Sequence, residues 1–147
     1  MKVVWKLYSA VLERDTSAET DVLDITAGVQ AEVARSAIAE GMALLHVPGS
    51  TAALTTIEFE SGAVNDLKRA IERAAPRGET YEHDLRWGDG NGYSHVRAAL
   101  LGPSLALPVS AGKLVLGTWQ QVVLCDFDNR PRRRRVMVRL MGEAPVG

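Results

Sequence analysis

The stretch KLVLGTWQQVVLCDFDNRPRRRRVMVRL, residues 113–140, decides the fold class. Lys113 to Phe127 is rich in Val, Leu and aromatic residues and reads as one long extended segment. Gly117 inside it implies a bulge or a close backbone approach. Asp128-Asn129-Arg130-Pro131 carries turn chemistry, and Val136, Val138 and Leu140 then alternate with other residues at the period of a half-buried strand. Two extended segments joined by a short turn make an antiparallel hairpin. The same grammar continues upstream, where Ser104 to Val109 leads through a turn at Ser110-Ala111-Gly112 into Lys113.

Working outward, Val3 to Leu12 reads as a strand with Val3, Trp5, Leu7 and Val11 on one face. Glu13 to Thr20 reads as an exposed turn, and Val22 to Ile25 resumes extended structure. Thr26 is a candidate cap for a helix with Val29, Val33 and Ala37 four residues apart, which Gly41 ends. Met42 to Val47 suits a buried strand, Pro48-Gly49 breaks it, and Ala52 to Phe59 is extended again. Ser61 is the expected cap of a second helix, whose apolar face is Val64, Leu67, Ile71 and Ala74 and which Pro76 stops. Arg77 to Tyr93 is dense in charge and glycine and reads as a long loop, and Ser94 to Leu101 as a short helix closed by Gly102-Pro103. Two main helices against six or seven strands argue for a single α+β domain over residues 1–147, with a largely antiparallel β-sandwich.

Composition narrows the function classes. A length of 147 residues suits one core, and 46% hydrophobic with 24% charged residues is ordinary for a globular chain. A formal net charge of −1 supplies no global field for nucleic acid or for a membrane surface. No apolar run nears the roughly 18 residues that span a bilayer, and the N-terminus carries no signal-peptide pattern. The single cysteine, Cys125, has no internal partner for a disulfide, so a cytoplasmic setting is expected. In a strand it reads as an inert, packed thiol.

The densest polar constellation is Tyr81-Glu82-His83-Asp84 followed by Asp89-Gly90-Asn91-Gly92-Tyr93-Ser94-His95. Imidazole and carboxylate together can hold a divalent metal or act as a general acid and base. The spacing matches no standard zinc signature, and a solvated loop with Asp and Asn in its turns is the plainer alternative. Arg130 and Arg132 to Arg135 form a second candidate, since guanidinium forks bind phosphate. By strand parity Arg132 and Arg134 share a side with Val136 and Val138, and Arg133 and Arg135 lie opposite. Protection of a sheet edge by charge is the alternative there. Pro48-Gly49-Ser50-Thr51-Ala52-Ala53, followed by Glu58, can let backbone amides approach an anion, although this is no Walker loop; a simple strand connection is the alternative. His46, in an apolar run, reads as a core or interface histidine. Trp119 beside Gly117, Thr118 and Gln120 reads either as core or as one wall of a pocket for a flat ring.

From about Asp24 to Glu143 the chain resembles the YjbQ-like family, often labelled secondary thiamine-phosphate synthase. The resemblance is carried by Tyr81 to Asp84, Asp89 to Arg97, Leu100-Leu101-Gly102-Pro103-Ser104, Gly112-Lys113-Leu114, Gly117-Thr118-Trp119-Gln120 and the Arg-rich start of the last strand, in family order. It implies an α/β sandwich that assembles as a homotrimer, with the shared polar residues near a subunit junction. It also implies joining a hydroxymethylpyrimidine diphosphate to a thiazole phosphate. On that basis His83, Asp89, His95 and Glu58 are the expected catalytic groups. His83, Asp89 and His95 double as ligands for a divalent metal ion of unassigned identity. Ser50, Thr51, Asn91, Trp119 and Arg134 are expected to contact a phosphorylated small molecule. Many family members carry His-Thr-Ser/Thr-Ala where this chain has Gly49-Ser50-Thr51-Ala52, whereas the downstream glutamate is retained as Glu58. His46, three residues upstream of Gly49, would face the opposite side of a strand. The alternatives, given the Gly49 departure and the arginine run, are a non-catalytic module, trimeric as the resemblance implies, that binds a phosphorylated metabolite or metal, and a metal-assisted hydrolase.

Overall fold

The computed structural model describes residues 2–147. In chain order the elements are β1 (Val3–Thr16), β2 (Asp21–Asp24), α1 (Thr26–Ser36), β3 (Glu40–His46), β4 (Ala52–Ile57), α2 (Ser61–Ala74), α3 (Glu82–Trp87), α4 (Gly92–Leu101), β5 (Ser104–Ser110), β6 (Lys113–Leu114), β7 (Gln121–Asp126) and β8 (Arg132–Pro145). All strand pairs are antiparallel. The larger sheet has the order β1-β8-β3-β5-β6 and the smaller one β2-β7-β4. The expected α+β class with antiparallel sheets is what forms, with two shorter helices added to the two main ones.

Alternation along β7 divides the interior. Val122 and Leu124 join Leu45, Leu54, Val136, Val138 and Leu140 in the main core, which α1 closes with Val29 and Val33. Val123 and Cys125 point the other way, into a second cluster with Ala53, Ile71, Ala98 and Phe127 under α2 and α4. A strand buried on both faces explains the unbroken apolar run of β7. Burial also pushes the Cys125 thiol up to about 12, so it stays protonated and inert.

Several sequence expectations change. Arg77 to Tyr93 is not one long loop, because α3 and the first turn of α4 form within it. Glu82 and Asp84 sit in the first turn of α3, where carboxylates are favourable, and Gly88 closes the helix at φ 72. Lys113 to Phe127 is not one strand: residues 115–120 leave the sheet. Gln120 donates from its backbone N–H to the Gly117 carbonyl and accepts at Oε1 from the Gly117 N–H, so Gly117 opens a turn and is not a bulge. Thr26 does not cap α1; its hydroxyl donates to Asp24 and accepts from the Val122 N–H, stitching the helix start to β7. Glu60, not Ser61, caps α2, through bonds of 2.8 Å from the Gly62 and Ala63 amides. Helix α1 stops at Ser36 with Ala37 left-handed, and Gly41 lies within β3.

Strand β1 does alternate, but its most apolar face points outward. Trp5 is 69% and Leu7 65% exposed, whereas Tyr8, Ala10 and Leu12 face the core. The outward face continues across the sheet in register from Leu7 to Met141, Met42 and Pro108. Likewise β3 is buried only through Ala43 and Leu45, with Met42 and Leu44 exposed.

Arg97 locks α4 to the end of α2. It is buried, donates to the Ala75 carbonyl at 3.0 Å, pairs with Glu72, reaches Thr20 at 3.1 Å and lies over the Tyr93 ring.

Gly41 and Gly142 face each other between β3 and β8. A Cβ on Gly142 would lie 2.1 Å from the Glu40 carbonyl oxygen, and one on Gly41 2.1 Å from that of Met141. Gly142→Ala is therefore expected to lower stability by about 2–3 kcal/mol through backbone overpacking. By thermal circular dichroism that corresponds to a fall in Tm of roughly 5–10 °C; an unchanged Tm would show that the strands part without cost.

Candidate functional site

One end of the sandwich gathers the C-terminus of β7, the turn after it, the start of β8 and the Pro48–Thr51 connection before β4. Helices α3 and α4 fold over this end. The polar residues there are tied into one network. Arg134 grips Asp126 with two bonds, Nε to Oδ2 at 2.7 Å and Nη2 to Oδ1 at 2.9 Å, and donates to Thr51 Oγ1 at 2.7 Å. Thr16 on β1 also donates to Asp126, at 2.6 Å. Arg132 reaches Asp128 at 2.7 Å, and Thr51 and Asn91 donate to the same carboxylate at 3.2 and 3.3 Å.

Asp126 and Asp128 are both about 1% exposed. Burial pushes the Asp128 carboxyl up, but bonds from the Asn129 amide, Asn91 and Arg132 outweigh it and hold it below the usual carboxylate range. A carboxyl depressed in the fold contributes stability that is complete above its unfolded value and is lost as pH falls through the folded one.

Above this base lies a cavity of about 490 Å³, lined by Gly49, Ser50, Thr51, His83, Trp87, Asp89, Asn91, His95, Asp128, Arg132 and Arg134. His83 comes from α3 and His95 from the first turns of α4. Their ring centroids are 4.3 Å apart and tilted by 41°. His83 Nδ1 is shielded from solvent and has no hydrogen-bond partner among the described residues, as is also true of Asn91 Oδ1. The same Nδ1 lies 3.4 Å from Asp89 Oδ1 and 3.5 Å from Asp84 Oδ1. One ligand atom from each of His83, Asp84 and Asp89 falls within 4.8 Å of the others.

Seven of the residues singled out from the sequence thus meet in one cavity: His83, Asp89, His95, Ser50, Thr51, Asn91 and Arg134. Glu58 and Trp119 do not. Both lie at the other end of the small sheet, where Ile57 pairs with Gln121. Thr51, at the cavity, precedes Glu58 by the whole length of β4, roughly 20 Å of extended chain. Trp119 is 71% exposed there. Asp84 takes a place among the possible ligands, and Trp87, Asp128 and Arg132 line the cavity. Asp128 and Arg132 were open to reading: Asp126 and Asp128 share one strand parity, Arg132 and Arg134 another, and the turn between brings them together. Strand parity of the arginines holds, because Arg134 is buried with Val136 and Val138, whereas Arg133 and Arg135 are exposed beside Glu13. Along the run β8 pairs with β1 alone, from Glu13↔Arg135 to Thr16↔Arg132, and β3 joins only from Met137, so Arg133 and Arg135 lie on a locally one-sided stretch of the strand while Arg132 and Arg134 line the cavity.

The sequence model described as UPF0047 protein YjbQ-like matches residues 10–143. The chain belongs to the YjbQ-like family. A UPF0047 protein of Archaeoglobus fulgidus is 38% identical over 126 residues, covering 86% of this chain and 95% of that one. The UPF0047 protein YugU of Bacillus subtilis is 34% identical over 132 residues, covering 89% and 97%. Among solved structures, a YbjQ-like protein of unknown function from Sulfolobus solfataricus P2 superposes with a TM-score of 0.90 at 32% identity, covering 95% of this chain and 99% of that one. A YjbQ/UPF0047 protein of Clostridium acetobutylicum gives 0.82 at 31%, covering 89% and 98%.

Arg134→Met strands Asp126 as a buried charge and is expected to cost about 3–5 kcal/mol. In the Asp128→Asn variant, chemical denaturation between pH 7 and 3 should show a shallower acid loss of stability than the parent chain. Identical acid limbs would mean that Asp128 is not held as the carboxylate.

Proposed function

We propose that the cavity binds a phosphorylated small molecule together with a divalent cation, and that it displaces phosphate or diphosphate from it. The observation that carries this reading is the unpartnered His83 Nδ1 flanked by two carboxylate oxygens. At 3.4 and 3.5 Å these contacts are long for hydrogen bonds, yet ligands about 2.0–2.1 Å from a tetrahedral ion stand roughly 3.3 Å apart. His83, Asp84 and Asp89 would hold the cation, with His95 nearby as a fourth ligand or as the general acid.

Charge supports the need for the ion. Asp84, Asp89, Asp126 and Asp128 outnumber the guanidiniums of Arg132 and Arg134 by two, so an anionic ligand alone would be repelled. A divalent cation cancels that excess. Arg132 and Arg134, each fixed by a buried carboxylate, are then preorganised to meet charge developing on a leaving phosphate or diphosphate. Within this class the YjbQ-like resemblance points to joining hydroxymethylpyrimidine diphosphate to thiazole phosphate with loss of diphosphate. Gly49, at the position where many members carry histidine, favours a second reading in which the cavity binds without turnover.

Self-association belongs to the same proposal. The outward ladder of Trp5, Leu7, Met42 and Met141 is a broad apolar face that a homotrimer would cover. Among the described residues no helix is long and apolar enough to cross a membrane, and the free Cys125 fits the reducing cytoplasm.

The test is incubation of purified protein with both phosphorylated precursors, with and without a divalent cation. Thiamine phosphate and diphosphate should form only with the cation, and His83→Ala or Asp89→Ala should slow formation by at least about 100-fold, as the loss of a metal or acid–base group does. Free phosphate from one precursor alone would assign hydrolysis, and a cation-dependent rise in Tm without product would assign binding. Equal rates in chelator, or in the two variants, would remove the metal site. Leu7→Glu should lower the mass seen by light scattering to that of one chain.

A further inference from the structure

A second cavity of about 190 Å³ opens beside the first, lined by Gly49, Ser50, Ala52, His95, Ala98, Ala99 and Pro103. It shares Gly49, Ser50 and His95 with the larger one. The two differ in chemistry. The larger holds the arginines and carboxylates, whereas in the smaller His95 is the only side chain able to carry charge.

The wall is built by helix geometry. His95, Ala98 and Ala99 stand at i, i+3 and i+4 on α4 and so present one face. Ser50, just ahead of β4, and Ala52, at its start, complete the lining with Pro103, which lies past the helix end. Alanine at two of the three helix positions leaves the depth unfilled. Gly49 lines both cavities where they adjoin: its φ is +116, and a Cβ there would stand 3.3 Å from an Arg134 guanidinium nitrogen. That backbone disfavours any side chain at the threshold.

Building on the phosphate reading above, we infer that this pocket is a specificity subsite for the uncharged part of the ligand, with Ala98 and Ala99 setting its size limit. A ligand whose anionic head lies by Arg132 and Arg134 places its carbon skeleton past Gly49 against the two alanines. An apolar cavity of about 150 Å³ admits one benzene ring, so this one takes a single six-membered ring or a short branched chain. A nucleoside, with its base and ribose, does not fit. The substrate class is therefore a phosphate ester of a small, uncharged, single-ring or branched alcohol.

The measurement is calorimetric titration of the full chain, with manganese present, using inorganic phosphate, benzyl phosphate and adenosine monophosphate. Benzyl phosphate should bind at least about tenfold more tightly than inorganic phosphate, with adenosine monophosphate no better than phosphate. Ala99 is exposed, so Ala99→Leu fills the pocket from the surface. It should bring benzyl phosphate down to the level of phosphate and leave phosphate affinity unchanged, which also reports that the fold is intact. Ala99→Ser, which keeps the volume open, should retain the preference. Equal affinity for phosphate and benzyl phosphate in the parent chain overturns the subsite, as does a preference that survives Ala99→Leu. Binding of none of the three ligands overturns the phosphate reading itself, and the subsite with it.

Discussion

One buried ion pair joins the two sheets. Arg134 belongs to β8 in the larger sheet and Asp126 to β7 in the smaller, and their two-point contact sits where the sandwich would otherwise open. Thr16 from β1 and Thr51 ahead of β4 complete the hydrogen bonding around it. A charge pair at this depth is tolerable only when its remaining donors and acceptors are so satisfied. The turn between β7 and β8 is thereby held in a fixed position, and with it Asp128 and Arg132. The floor of the cavity is a product of the same bonds that close the fold.

Much of the architecture was legible because period-two alternation survives in the strands. The inward parity of Arg132 and Arg134 could be read directly from Val136 and Val138. The apolar face of α2 could also be read, since Val64, Leu67 and Ile71 pack as their spacing requires. Less legible was anything decided by a partner distant in sequence. Trp5 and Leu7 look like core by hydropathy, yet Tyr8, Ala10 and Leu12 occupy that role because β8 fixes which side of β1 faces in. Gly41 resembles a helix terminator, and its actual role, letting β3 approach β8 at Gly142, exists only once the two strands are paired.

The site shows the same division. His83, Asp89 and His95 stand within thirteen residues of sequence, so a local motif could reveal them. Asp84 belongs to the same polar motif, and it joins the possible ligands because the fold brings ligand atoms of His83, Asp84 and Asp89 within 4.8 Å of one another. Glu58 and Trp119 carried family expectations, but β4 and the chain before β7 run away from the cavity and deposit both at the opposite end. Spacing along an extended strand was enough to place them far from Thr51. Their remoteness within one copy follows from strand length, whatever chemistry the residues possess.

The clamp made by Arg97 bears on how the helix over the cavity behaves in time. With its guanidinium bonded to the Ala75 carbonyl, Glu72 and Thr20, all outside the helix, α4 has few ways to swing without breaking several contacts together. Local opening of such a unit is costly and therefore rare. His95 and the alanine pair are carried on this anchored helix, so a ligand bound as proposed would meet a wall already in place and spend little ordering entropy. Helix α3, by contrast, buries none of its residues and is followed by two glycines of positive φ, Gly88 and Gly90, so fewer contacts hold it. The two helices over the cavity thus differ in how firmly the fold holds them.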